Sequence, residues 1–422
     1  MAKTAKLDAP TARPYLKQVR IRNHAPLRDA QVSFEPGLNI IIGPNGSGKT
    51  RFLELTSQLM NLYITQKAGV ECELILNYGQ DIKISFQKEL WAEDEEPNFQ
   101  LADVDAIKVF VAWGGEISNG TTLLDALLRF EDETSFSQYD VVLAQHGTPL
   151  QRCPVVDVPA TLIFGELLGM RVEPELVAHP AVVPPLLPNA LFNAFIQAFF
   201  WLQRHQRANR LAENLLDSVC EEIKRITTAY LDFLNSTLAI CSPIKQVRLG
   251  EAFQLYDNQT QKELIVKGLV LEYYIAENWL PFEALSDGTK RILYLISQLI
   301  MPFAKFYNQS EYPTPFSLRT LPRIILLEEP ELGIHPDQLQ MLLSLIREVS
   351  KEHQVIITTH SPQVLNMLTK QELDRITICE LDPKKGTQFR KLSRAKQAKA
   401  RAYMRDDSYL SDFWLYSNLE AK

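Results

Sequence analysis

The sequence predicts an α/β fold: a mixed sheet with helices, interrupted by an inserted, mainly helical lobe. Three observations carry that expectation. Leu38–Ile42 is a continuous apolar run that ends at Gly43 and gives way, after a glycine-rich loop, to a helical pattern. Arg323–Leu327 and Gln354–Thr358 are short and nearly all apolar, as expected of strands buried on both faces of a parallel sheet. Between those two runs, Pro336–Lys351 has the spacing of a helix. Composition agrees with a folded globular protein: of 422 residues, 46% are hydrophobic and 23% charged.

Along the chain, Tyr15–Ile21 alternates as a strand, HAPLRDA reads as a turn, and Gln31–Phe34 and Leu38–Ile42 follow as strands. Thr50–Tyr63 is a helix, with Phe52, Leu53, Leu55, Leu59, Met60 and Leu62 near helical spacing. Glu73–Tyr78 and Asp81–Phe86 form a hairpin about Gly79–Gln80, and Ile107–Trp113 is a further strand. Residues 114–188 are broken by prolines, whereas 189–240 read as helix, with Leu211, Leu215, Leu216, Val219 and Ile223 as an apolar stripe. Lys245–Leu249 and Leu264–Ile275 are strands, and a helix starts near Asp287. After the helix at 336–351, Pro362–Leu368 is a short helix and Ile376–Leu381 the last strand before a basic segment.

Several classes of protein are disfavoured. The net charge of −7 argues against a wholesale nucleic-acid coat, though a local basic face is compatible with it. The five cysteines, Cys72, Cys153, Cys220, Cys241 and Cys379, include no CxxC pair. They read as free thiols of a reducing, cytoplasmic protein rather than as a zinc site. The N-terminus shows no apolar signal core. The most apolar stretch, Leu186–Leu202, is short for a membrane span and interrupted by Pro188, two asparagines and Gln197, so no membrane association is expected.

Four motifs carry chemistry. Gly43, Pro44, Asn45, Gly46, Ser47, Gly48, Lys49 and Thr50 fit G-x4-G-K-[ST] between a strand and a helix, the setting a phosphate cradle requires. Glycines let backbone N–H groups turn onto a phosphate, and the helix N-terminus adds its positive end. Lys49 would reach the β- and γ-phosphates of a bound nucleotide, and Thr50 would ligate Mg2+. Ile324–Glu329 delivers Glu328 and Glu329 to the C-terminal end of a buried strand, where ligands of such sheets sit. Glu328 would help hold Mg2+ through water, and Glu329 would act as general base on the attacking water. Thr358–Ser361 places His360 after another apolar strand, where it would sense the γ-phosphate or orient the water. Leu285–Arg291, LSDGTKR, opens a helix. Ser286 is an ordinary helix cap there, and with Gly288 it also forms a second anion-binding terminus.

The order of these motifs resembles the heads of ABC-type ATPases. LKQVRIRNHAPLRDAQVSFEPGLNIIIGPNGSGKT, LLEEPELGIHP and IITTHSPQVL are similar to the RecF/SMC-like and OLD-like branch, grouped as AAA-type ABC ATPases of bacterial defence and repair. SYLSDFWLYSNL is similar to the C-terminal segment of OLD-like heads. The likeness is strong over 16–63 and 280–382. It divides the chain into a first half of the head (16–113), an inserted helical lobe (114–240), a second half (241–382) and a basic C-terminal segment (383–422).

Several expectations follow from the resemblance. Two heads pair face to face, giving a homodimer or a higher even oligomer, with ATP between one phosphate loop and the partner's Ser286 and Gly288. Gly333 and His335 lie in a loop facing the partner, and Arg51 extends the nucleotide-binding set. Glu328 stands where the wider family commonly has Asp, and SDGT in place of SGGQ weighs against a transporter. The glutamine joining the helical lobe to the site is one of Gln87, Gln100 and Gln145, and no base-stacking aromatic stands near His24. No OLD-type nuclease domain follows the head, and 114–240 holds no sustained heptad for long arms. The implied function is an ATPase that dimerises on ATP and gates a separately encoded effector, such as a nuclease, in defence against phage. The alternative is a RecF-like DNA-binding ATPase in repair. Residues 384–405, with nine basic and no acidic side chains, offer a face to DNA, RNA or an acidic partner, or simply a solvated surface.

Overall fold

A computed structural model of the chain describes residues 13–60, 70–77, 81–88, 107–113, 116–117, 121–122, 155–158, 175–177, 228, 231–251, 254–258, 263–267, 271–300, 323–404 and 408–417. They fall into two compact units, one drawn from 1–157, 322–330 and 350–422, the other from 158–321 and 331–349.

The first unit starts with the hairpin β1 (Tyr15–His24) and β2 (Leu27–Ser33), then β3 (Leu38–Ile42) and α1 (Lys49–Met60). β4 (Glu71–Asn77), β5 (Asp81–Lys88), β6 (Ile107–Trp113), β7 (Glu116–Ile117) and β8 (Thr121–Thr122) extend the hairpin into a sheet ordered β2-β1-β4-β5-β6-β7, with β8 on β6. Neighbouring strands of this sheet pair antiparallel. HAPLRDA is not an extended turn, because β2 already starts at Leu27 and His24 pairs with Leu27. The exposed pair Arg28 and Asp29 hides the alternation that Leu27, Ala30 and Val32 maintain on the buried face.

The second sheet holds the phosphate-loop strand. Its order is β19-β18-β3-β17-β16-β9, with β9 (Val155–Val158), β16 (Ile324–Glu328), β17 (Gln354–Thr359), β18 (Ile376–Asp382) and β19 (Gly386–Lys391). β3, β16, β17 and β18 run parallel, and β19 returns antiparallel beside β18. This is the mixed sheet of an α/β fold, as the sequence predicts. β19 is a correction: Ile376–Leu381 is not the last strand, and the basic segment begins as part of the sheet.

Helix α1 packs between the two sheets. Phe52, Leu53, Leu55, Leu59 and Met60 share one core with Leu16, Val19 and Ile21 of β1, Leu74 and Leu76 of β4, and Ile41, Ile324, Leu326 and Ile356 of the parallel strands. Burial on opposite sides explains why this helix is apolar around much of its circumference. Gln354 stitches β17 to β1: its Oε1 accepts from Leu16 N at 2.7 Å, and its Nε2 donates to Leu16 O at 2.8 Å. The C-terminal helices, α5 (Arg394–Tyr403) and α6 (Leu410–Tyr416), complete this unit.

In the second unit, a helix over 231–241 (α2) buries Leu231, Leu234 and Leu238 and is tied by Asn235 to Val247 of β11 (Gln246–Leu249). The predicted long strand 264–275 is two strands in different sheets. β13 (Glu263–Lys267) lies between β10 (Glu175–Val177) and β12 (Gln254–Asn258), whereas β14 (Leu271–Ile275) lies between β11 and β15 (Asn278–Pro281). The two-residue turn between β14 and β15 uses Ala276 and Glu277, both at positive φ, the twist a tight hairpin requires. Helices α3 (Asp287–Ile300) and α4 (Pro336–Val349) pack on each other. Of the expected helical lobe, most of 123–230 lies outside the described residues, including the stripe at 211–223 and the apolar stretch at 186–202. Among the described residues no helix is long and apolar enough to cross a membrane.

Candidate functional site

Three neighbouring parallel strands, β3, β17 and β16, run side by side, and the predicted phosphate loop, Glu328 and Glu329, and His360 lie at or just after their C-terminal ends. The phosphate loop leaves β3. Gly43 N donates to Thr359 O at 3.3 Å, which fixes the loop's start to the end of β17. Gly46 and Gly48 have φ of 75° and 99°, conformations that favour glycine. A Cβ at Gly48 would stand 2.2 Å from Thr387 Oγ1, and one at Gly43 would stand 2.1 Å from Cys379 O. These glycines therefore have two roles: they turn the backbone, and they let β18 and β19 press against the loop.

The brace beneath the loop is specific. Thr387 Oγ1 donates to Ser47 O at 2.8 Å, and the Cys379 thiol lies 3.5 Å from the same oxygen. Burial raises the Cys379 pKa to about 11, so the group stays a thiol and can donate. The sequence reading missed both residues. For Thr387 the signal was the alternation from Thr387 to Phe389, hidden among lysines and arginines.

Lys49 is 5% exposed and folds back on its own loop, its Nζ donating to Gly43 O at 2.8 Å and Pro44 O at 3.0 Å. Ser47 Oγ is buried and has no hydrogen-bond partner among the described residues. A lysine satisfied only by its own loop, and a stranded hydroxyl beside a helix N-terminus, fit a triphosphate. Among the described residues no group of three or more His, Cys, Asp and Glu could hold a metal ion by itself. Mg2+ is commonly bound through one or two protein groups together with substrate phosphates and water. Thr50 and Glu328 are the protein groups available here.

Glu328 is the last residue of β16 and is 8% exposed. Glu329 leaves the strand at φ 42°, while its N–H still donates to Thr358 O at 2.8 Å. Neighbouring residues of a regular strand point to opposite faces, and this left-handed turn takes the second carboxylate out of that alternation. Glu329 Oε1 then meets His360 Nδ1 at 3.0 Å. The structure thus brings together the predicted base and the predicted switch histidine, held by adjacent strands. The backbone strain at Glu329 is of the kind that gathers at active sites.

The other predicted residues are placed as follows. Arg51 lies 3.0 Å from His24 Nε2 and 3.0 Å from Glu54. His24 is 1% exposed, so its ring does not serve as an open stacking surface. Gln87 lies on β5, whereas Gln100 and Gln145 fall outside the described residues. In the second unit, Ser286 caps α3, its Oγ accepting from Thr289 N at 3.2 Å. It is also exposed. A Cβ at Gly288 would stand 2.7 Å from Gly333 O, so glycine there permits the loop after β16 to approach α3. Gly333 and His335 are exposed.

The residues of the basic segment divide between β19 and α5, Arg390 is paired with Glu380, and Arg401 donates to Lys370 O.

The chain is similar to several known proteins. Residues 15–144 match the family described as "AAA ATPase domain", and residues 195–366 match "AAA domain, putative AbiEii toxin, Type IV TA system". The Septu protein PtuA of Bacillus thuringiensis is 21% identical over 378 residues, spanning 86% of this chain and 76% of that protein. The DNA replication and repair protein RecF of Lactococcus lactis is 36% identical, but over 17% of this chain and 19% of RecF. Among solved structures, an Smc head bound to the C-terminal winged-helix domain of ScpA aligns with a TM-score of 0.49 at 15% identity, covering 91% of this chain and 99% of that one. The SMC head domain from Thermotoga maritima aligns with a TM-score of 0.41 at 12% identity, covering 90% and 99%.

Proposed function

We propose that the chain, which matches AAA ATPase families over 15–144 and 195–366, binds ATP with Mg2+ and hydrolyses it at the ends of β3, β16 and β17. The observation that carries this is the 3.0 Å contact between Glu329 and His360 beside the phosphate loop. Backbone N–H groups of Gly46–Thr50 would hold the β- and γ-phosphates, and Lys49 would exchange its bonds to Gly43 and Pro44 for phosphate oxygens. Thr50 and Glu328 would hold the Mg2+, which when bound neutralises charge on the transferring phosphate. Glu329 would accept the proton of the attacking water, with His360 fixing the orientation of that carboxylate.

Exposed Ser286 and half-buried Gly288, at the start of α3, are suited to complete the site on a second copy. On this reading ATP drives dimerisation, and the dimer gates a separately encoded effector, such as a nuclease, in anti-phage defence. Similarity to the Septu protein through 86% of this chain supports that reading over a RecF-like role in DNA repair, for which the similarity covers 17%.

The experiment is Glu329→Gln, measured by ATP turnover and by mass in solution with and without ATP. Turnover should fall by about 10²–10⁴-fold, the usual contribution of a general base. The ATP-bound dimer should persist, because binding groups are untouched. Hydrolysis at the unmodified rate would remove Glu329 from its role. A mass indifferent to ATP would leave an ATPase without the switch.

A further inference from the structure

Ile41 of β3, Thr358 of β17 and Glu328 of β16 stand in one row across the parallel ladder. In-register neighbours in a parallel sheet point to the same face. That face is the one toward α1, because Ile41, Ile356 and Leu326 share a core with Phe52 and Leu55. On this face Ile324, Leu326, Ile356 and Ile41 are apolar, Asn39 and Gln354 spend their amides within the fold, and in the row of Ile41 the threonine and the glutamate stand side by side.

Thr358 is 0% exposed, and its Oγ1 has no hydrogen-bond partner among the described residues. The next residue behaves differently: Thr359 Oγ1 accepts from Ser361 N at 2.9 Å. Valine has nearly the shape of threonine and would fill the same space without a stranded hydroxyl. Buried polar atoms are nearly always satisfied, so an exception asks for a missing partner. That partner must lie beside Glu328, on the face from which Lys49 and Thr50 begin α1.

We propose that Thr358 is a positioning residue for the metal, its hydroxyl reserved for the hydration shell of the Mg2+ that Glu328 and Thr50 hold. The inference rests on the MgATP reading above and deepens it. It adds a third protein group to the metal side of the site, one that acts through water and touches no phosphate. This divides the labour between the two threonines at the end of β17. Thr359 shapes the turn that presents His360, and Thr358 serves the ion.

The test uses the full chain with Thr358→Val and Thr358→Ser. ATP affinity is measured by calorimetry with MgCl2 and with EDTA, and thermal unfolding is measured without nucleotide. Thr358→Val should leave the affinity in EDTA unchanged and weaken that in Mg2+ about tenfold, the loss of one hydrogen bond in a charged setting. Thr358→Ser should restore most of the difference. Without nucleotide, Thr358→Val should unfold at the same temperature as the parent or higher, because it removes an unsatisfied group.

A valine variant with the parent's Mg2+ dependence overturns the proposal. So does a nucleotide-free valine variant that unfolds at a clearly lower temperature, since the hydroxyl would then have its partner within the fold. Failure of serine to rescue would show that shape alone matters, with the same consequence. If the parent itself binds no ATP, the nucleotide reading fails first and this inference with it. Parent binding with an indifferent valine variant removes only the role of Thr358.

Discussion

Strand β17 has a histidine at each end, and the two occupy opposite kinds of surroundings. His353, just before Gln354, is 7% exposed, and its Nδ1 accepts from Arg323 N at 3.2 Å. Burial, then the guanidinium groups of Arg323 and Arg13, lower its pKa from 6.5 to about 4. His360, just after Thr359, is exposed and faces the carboxylate of Glu329. Around His353 the polar groups satisfy one another, and Gln354 next to it spends its amide on Leu16 and Glu35. At the other end, Lys49 bonds only to its own loop, and Ser47 Oγ and Thr358 Oγ1 have no partner among the described residues. The difference separates a polar cluster that holds the fold together from one prepared for a ligand.

The largest effect that would sharpen this contrast comes from His360→Ala. Turnover should fall by about 10³-fold, within the range for groups that manage a proton in the reaction. Thermal stability should change by no more than about 0.5 kcal/mol, as for surface substitutions that break no buried contact. A variant that unfolds early would place His360 among the structural groups and erase the contrast.

His353 predicts the converse, an effect on stability with none on turnover at neutral pH. Its folded pKa lies below its unfolded value, so the unfolded chain takes up a proton as pH falls through 6.5 while the folded chain does not. The contribution to stability is complete above about 6.5 and is lost as pH falls toward 4. The loss is of the order of 2–3 kcal/mol for a shift of this size. Denaturant titrations from pH 7 to pH 4 should show that decline. His353→Gln should flatten it, since glutamine can still accept from Arg323 but does not titrate. An unchanged slope in the glutamine variant would assign the acid sensitivity to other groups.

How much of this was legible in the sequence depends on which forces act locally. The three strands that end at the site are buried on both faces, so each appears as an apolar run, and Leu38–Ile42 is found with its observed bounds. The glycine loop is visible because its backbone geometry restricts residue type. Glu329 and His360 are visible because each follows such a run. The left-handed turn at Glu329 is not, since the residue that adopts it is neither glycine nor asparagine. β19 is also hidden. Lys384, Lys385, Arg390 and Lys391 give it the composition of a tail, and its contact with the phosphate loop joins residues some 340 positions apart. The break between β13 and β14 is missed because both halves are apolar enough to read as one strand.

That hidden strand supplies the smallest predicted effect. Thr387 touches no nucleotide in the proposed site, yet its hydroxyl holds Ser47 O, and Ser47 lies within the cradle. Thr387→Val keeps the volume and removes the donor, leaving the Cys379 thiol, a weak donor at 3.5 Å, as the remaining brace. One neutral hydrogen bond is worth about 1 kcal/mol, so the KM for ATP should rise about fivefold. kcat should be nearly unchanged, because Glu329 and His360 are held by other strands. Thr387→Ser should return KM to the parent value. If valine lowers kcat and leaves KM alone, β19 bears on the catalytic pair rather than on the loop, and the division between the loop's brace and the carboxylate's support must be redrawn.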